Sequence, residues 1–280
     1  MIFKKSFEIN AADGNHISGN FFYQEFIEKK PLLIISHGFK AHKDWGFFPY
    51  IAQKFCDANF LVITFNFSMN GFDNSSNSFI YVEKFAHNTV SQEIQDLENV
   101  IEFLNEKSKL SLYLDRYWNK ELHLLGHSRG AAISLLVVKR NLYKAKLALW
   151  NSIATFDRWT ERQKEIWQEK GFLEFKDNSL NLNLKIDIKY LKDIQNNEYN
   201  LINAINLINI PLLLLYCEQD MTVRKREFEN LKNYINSNFS EIISIPNTGH
   251  TFGVSEKMQK STEQLDFAIQ KTIEFFKRNE

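Results

Sequence analysis

Ser128, Asp220 and His250 are the residue types that acyl transfer by a serine requires: a nucleophile, a carboxylate to orient the base, and an imidazole base. Ser128 sits in Gly126-His127-Ser128-Arg129-Gly130, after the apolar run Leu122-His123-Leu124-Leu125 and before the longer apolar run Ala131 to Val138. That order reads as strand, tight turn, buried helix: a nucleophile elbow in which flanking glycines leave room for a strained serine backbone. Asp220 follows the apolar run that starts at Leu212, and His250 follows the polar segment Pro246-Asn247-Thr248-Gly249. Both therefore stand in loops just past strands, where a side chain can be presented to a site.

Developing negative charge on the substrate needs donors. His37-Gly38-Phe39 ends another apolar run, and the backbone N–H of Phe39 with that of Arg129 would form the oxyanion hole. His37 is expected to hold that loop in shape. Glu218 and Asp157 are the alternative acids, the first close to the same strand end and the second after the strand at 146–150. The Arg129 side chain could bring a cation beside the site and favour an anionic substrate; the preferred reading is a structural hydrogen bond or ion pair. His16, His42, His87 and His123 show no metal-ligand spacing, so neither metal nor cofactor is expected.

The elements that must position these residues alternate in type. Short apolar runs at 5–9, 17–23, 32–36, 61–65, 121–125, 146–150, 212–216 and 241–245 read as eight strands. Val90, Ile94, Leu97, Ile101 and Leu104 recur at helical spacing, as do Leu265, Ile269, Ile273 and Phe276. The pattern is that of an α/β sheet wrapped by helices, with the first two strands forming an antiparallel hairpin at the edge. Residues 152–209 have a different character and read as an insertion into a single domain of 1–280. Within it, apolar residues alternate with polar ones from Leu180 to Ile188, the mark of a half-buried strand. A turn at 176–179 would join that strand to one at 172–175, and 159–171 reads as a polar helix. Trp159, Trp167 and Phe172 would give this lid an apolar underside over Ser128 and so contact substrate, although for the two tryptophans packing within the core or lid is the preferred reading.

Composition sets the outer bounds. A chain of 280 residues with 44% apolar content can bury a large core. With 34 basic and 34 acidic residues the formal charge is zero, which argues against nucleic acid or a membrane surface as partner. No run is long enough to span a bilayer and the N-terminus lacks the apolar core of a secretion signal, so a cytoplasmic protein is expected. Cys56 and Cys217 lie in apolar stretches and read as small buried hydrophobes.

Taken together the chain resembles the α/β-hydrolases, within them the serine esterases similar to bacterial feruloyl and cinnamoyl esterases. The resemblance rests on Asp13-Gly14 with Ile17-Ser18-Gly19, on His37-Gly38-Phe39, and on Phe65-Asn66-Phe67-Ser68 with Gly71. It is completed by the elbow at 126–130, by Asp220 before Thr222-Val223, by Gly249-His250, and by the chain order Ser, Asp, His. It departs from that group at Ala131, where a further glycine is usual, and at Arg129, where methionine or glutamine is commoner. The resemblance implies an α/β-hydrolase fold with a mostly parallel eight-stranded sheet and an inserted lid that helps bind an aromatic acyl group. It implies hydrolysis of a small-molecule carboxylic ester through an acyl-Ser128 intermediate. A peptidase, thioesterase or acyltransferase on the same triad stays open, as does a catalytically idle binding module.

Overall fold

The computed structural model describes residues 1–74, 76–141, 145–177, 180–236 and 239–278. Strands β1 (Phe3–Asn10) and β2 (His16–Tyr23) pair antiparallel, Phe3 opposite Tyr23 and Asn10 opposite His16. They are followed by β3 (Lys30–Ser36), helix α1 (Phe48–Asp57), β4 (Leu61–Phe65), and helices α2 (Val82–Ala86), α3 (Val90–Phe103) and α4 (Ser111–Tyr117). Next come β5 (Trp118–His127), α5 (Arg129–Asn141) and β6 (Ala145–Trp150). After residues 152–209 the chain returns with β9 (Leu212–Cys217), α9 (Lys225–Asn233), β10 (Ser240–Ile245) and α10 (Glu263–Lys277).

Among the described residues these strands form one eight-stranded sheet in the order β1-β2-β4-β3-β5-β6-β9-β10. β2 meets β4 antiparallel, and every pairing from β4 to β10 is parallel. The reason is visible in the side chains. Leu61-Val62-Ile63-Thr64-Phe65 and Leu212 to Cys217 are buried at every position, as a strand covered on both faces must be. Helices α1 and α10 pack on one face around Phe55, Phe276 and Trp150. Helices α3 and α5 pack on the other, with Ile94, Leu97, Ile133 and Val137 against Ile34, Leu124 and Leu149. Thr89 and Thr262 start α3 and α10 by accepting the N–H of Gln92 and Leu265.

The segment 152–209, expected from the sequence to be an insertion, contains α6 (Glu161–Lys170), β7 (Phe172–Asp177), β8 (Leu182–Asp187), α7 (Ile188–Asp193) and α8 (Leu201–Leu207). The expected polar helix and strand pair are both present, α6 being opened by a reciprocal Thr160–Gln163 cap and closed at Gly171, whose φ is 77°. β7 and β8 pair antiparallel as a separate two-stranded sheet. The strand expected to reach Ile188 stops at Asp187, because the Asp187 carboxylate caps the N–H of Lys189 and starts α7. Residues 178 and 179 of the expected turn lie outside the described residues. Burial pushes the Cys56 and Cys217 thiols up to about 12, so both stay protonated and pack as apolar groups. Among the described residues no helix is long and apolar enough to cross a membrane.

Candidate active site

Strands β3, β5, β6, β9 and β10 all end at the same edge, so the loops after them converge there. At the end of β5, Ser128 has φ of 57°, a left-handed conformation that a non-glycine residue adopts at a cost. The surrounding backbone enforces it. Ser128 N–H donates to the Trp150 carbonyl at 2.8 Å, and the Ser128 carbonyl accepts from Ala131 N–H at 3.1 Å. A Cβ at position 126 would lie 2.4 Å from Ala131 Cα, and one at 130 would lie 2.3 Å from the His37 carbonyl oxygen. Both positions therefore require glycine. Ala131 is fully buried, so its methyl is accommodated where the sequence resemblance leads one to expect a further glycine.

Asp220 and His250 meet across the ends of β9 and β10. Asp220 Oδ2 lies 2.6 Å from His250 Nδ1, and Oδ1 accepts the N–H groups of Thr222 and Val223, each at 2.8 Å. With both oxygens engaged and its side chain fully buried, the carboxylate can turn in only one way. His250 is fixed from behind as well. The His250 carbonyl accepts from His127 Nε2 at 2.9 Å and from Asn151 Nδ2 at 3.0 Å. Burial pushes the His127 imidazole down to about 3, so the ring is neutral and its Nε2 carries the donated proton. Asn151, left-handed with φ of 46°, also accepts the Cys217 N–H at 2.8 Å and so ties β6 to β9. The Ser128 hydroxyl makes no direct hydrogen bond to His250, although both face one cavity; such bonds commonly tighten as the reacting group arrives. Of the alternative acids, Glu218 is exposed, and Asp157 is exposed and paired with Lys164 at 2.8 Å.

The loop after β3 approaches the serine closely, since a Cβ on Gly38 would lie 3.1 Å from Ser128 Cβ. His37 keeps that loop in shape, as expected. Burial pushes its imidazole down to about 3, Nδ1 donates to the Gly38 carbonyl at 2.9 Å, and Nε2 accepts the Phe67 N–H at 3.2 Å. The backbone N–H groups of Phe39 and Arg129 have no acceptor among the described residues. The Arg129 side chain is buried and paired with Glu93 at 2.5 Å, which is the structural role preferred from the sequence.

A cavity of about 320 Å³ opens beside Ser128 and His250. Phe39, Trp45, Phe48, Phe72 and Leu180 supply its apolar walls, with Lys40 and Glu256 among the polar ones. Leu180 belongs to the insertion, which also reaches the loop after β3 through a Lys40–Asp177 ion pair. Trp159, Trp167 and Phe172 do not line this cavity. Trp167 is fully buried within the insertion, stacked on Tyr190 at 5.9 Å and met edge-on by Trp159 at 5.3 Å. Phe172 is half-buried on β7 with the Lys185 ammonium 4.6 Å from its ring centroid. The sequence reading missed His127, Asn151 and Glu93. Only Glu93 left a trace there, as a charge beside the apolar stripe Val90, Ile94, Leu97 of α3. Among the described residues no group of three or more His, Cys, Asp or Glu could hold a metal ion.

No protein-family model and no curated protein matches the sequence. Solved structures do. The chain superposes on the α/β hydrolase GrgF from Penicillium sp. sh18 with TM-score 0.74, 15% identity and 98% of each chain covered. It is similar to DcsB, solved with a substrate analogue, at TM-score 0.73, 16% identity and 98% of each chain. Est1E from Butyrivibrio proteoclasticus, solved with ferulic acid bound, matches at TM-score 0.67 and 16% identity over 95% of this chain and 96% of that one. The sheet order, the left-handed serine between β5 and α5, and these superpositions agree: the chain has the α/β-hydrolase fold.

Proposed function

We propose that the protein is a serine hydrolase of small-molecule carboxylic esters, acting through Ser128, His250 and Asp220. The observation that carries this reading is the buried Asp220–His250 contact of 2.6 Å on the cavity that a left-handed Ser128 faces. Asp220 accepts Nδ1–H of His250, which leaves Nε2 as the base. Ser128 Oγ attacks the acyl carbon while Nε2 takes its proton, and the carbonyl oxygen becomes an oxyanion held by the N–H groups of Phe39 and Arg129. Collapse expels the alcohol, which leaves with the proton from Nε2. Water then attacks the acyl-Ser128 ester with the same base, releasing the acid and restoring the serine.

The substrate reading follows from the walls. Trp45, Phe48, Phe72 and Leu180 suit an apolar group of aromatic size, and ferulic acid in the similar Est1E fits that class. Leu180 makes the insertion at 152–209 a lid that helps choose the acyl group. Turnover of p-nitrophenyl acetate and methyl ferulate, measured beside an acyl thioester and a peptide amide, tests the class. The reading expects kcat/KM to be highest for the oxygen esters, with the aromatic acyl group accepted. A thioester or amide preferred over both esters would contradict it.

A further inference from the structure

Helix α3 carries a carboxylate, Glu93, on its buried face, and that charge needs a partner. Arg129 supplies it: Nε donates to Glu93 Oε2 at 2.5 Å, with the two side chains 7% and 5% exposed. Asn88 Nδ2 donates to the other Glu93 oxygen at 2.8 Å, so the carboxylate is itself held. On its far side the guanidinium donates from Nη1 to the Tyr190 hydroxyl, at 3.2 Å, on helix α7 of the insertion. Its Cζ also lies 5.0 Å from the Tyr190 ring centroid and 5.4 Å from that of Phe39.

A buried ion pair adds little net stability over a well-packed apolar pair, so stability alone is a weak reason for one beside the elbow. Its placement supplies another. On the oxyanion reading given above, Arg129 bears one of the two backbone donors and Phe39 the other, and the Arg129 guanidinium lies over the Phe39 ring. One clamped side chain thus spans both. We propose that Arg129 is a positioning residue, whose guanidinium, locked by Glu93 and Tyr190, sets the relative placement of the Phe39 and Arg129 N–H groups. The inference rests on the oxyanion reading given above. Donors act at about 2.7–3.1 Å from the oxyanion, so a shift of a few tenths of an ångström in either loop is felt in the transition state. Tyr190 makes the same contact report the position of the insertion.

The double variant Arg129→Met, Glu93→Gln removes both charges together and strands neither. Arg129→Lys keeps a cation opposite Glu93 but lacks the planar fork that stacks and donates in two directions, and it serves if the double variant does not fold. Two readouts apply to each: kinetics with p-nitrophenyl acetate, and affinity for an aryl trifluoromethyl ketone, whose adduct on Ser128 carries an oxyanion. The expected result is a kcat lower by about tenfold to a hundredfold with KM changed less than about threefold. Ketone affinity should fall by the same factor as kcat/KM. A folded variant with undiminished kcat and ketone affinity, even one that melts earlier, would overturn the proposal and leave Arg129 as a pin of the fold. A Ser128→Ala control that retained turnover would instead remove the reading on which the proposal stands.

Discussion

The strand ends of the main sheet and the insertion at 152–209 meet over one cavity but are secured in different ways. On the sheet side each of these bonds has a backbone group at one end: Asp220 is held by two N–H groups, the His250 carbonyl by the side chains of His127 and Asn151, and the Ser128 N–H by the Trp150 carbonyl. On the insertion side the ties are largely side chains, namely Lys40 to Asp177, Arg129 to Tyr190, and the Asp193 carboxylate accepting the Ser91 N–H at 2.9 Å. A site that must hold reacting atoms to a fraction of an ångström gains from the first arrangement. A surface that selects among substrates can use the second, because its side chains can change without moving the frame.

The sharpest break between the regions should come from the acid. Asp220→Asn is expected to lower kcat by about 10⁴-fold, since an amide there favours the wrong tautomer of His250 while keeping its shape. Glu218→Gln and Asp157→Asn, both at exposed positions, should leave turnover near that of the unmodified chain. Steady-state kinetics on the three variants decide it, and a loss at Asp157 equal to that at Asp220 would move the acid to the end of β6.

Within the insertion, two apolar residues should part company. Trp167→Ala empties a fully buried site and should cost about 3–5 kcal/mol of local stability, read as faster amide exchange across α6 and α7. Leu180→Ala alters a cavity wall, so it should change the ratio of kcat/KM for aromatic and acetyl esters by about 1–3 kcal/mol. If Leu180→Ala lowered both esters alike, the insertion would be supporting the sheet side and the contrast between the regions would fail.

A smaller effect concerns the helix that joins them. Burial pushes the Asp96 carboxyl on α3 up to about 7, although it accepts the Ser68 N–H at 2.7 Å and a Gln92 amide hydrogen at 2.9 Å. The folded chain therefore keeps a proton there that the unfolded chain loses near 3.8, so this contribution to stability is full in acid and is lost as pH rises through about 7. His37 and His127, pushed down to about 3, act in the opposite sense: their contribution is present above 6.5 and is lost as pH falls through about 3. Urea unfolding across pH 4 to 7 (roughly the Asp96 window) should show the unmodified chain losing stability relative to Asp96→Asn. Parallel curves for the two chains would contradict the raised carboxyl.

The frame was legible in the sequence because buried parallel strands are unbroken apolar runs, and Leu61–Phe65 and Leu212–Cys217 are such runs. The strand β8 showed through its alternation, and the elbow through the glycines that its close backbone contacts demand. Partners that meet only in three dimensions were not legible. His127 lies 123 residues from the His250 carbonyl it holds, and Glu93 lies 36 residues from Arg129, distances at which no local pattern operates. Trp159 and Trp167 left two readings open, packing or substrate contact, and the preferred one, packing, is what they do: they meet edge-on and join the core that also covers one face of the sheet.

The central claim is that Ser128 is the nucleophile of this site, and covalent trapping tests it most directly. Incubation with a fluorophosphonate, followed by intact-mass and peptide mapping, should give one adduct, on Ser128, with turnover lost in step with labelling. The Ser128→Ala chain, folded as before, should take up no label. Labelling confined to another residue, or full labelling of Ser128 with turnover retained, would contradict the account.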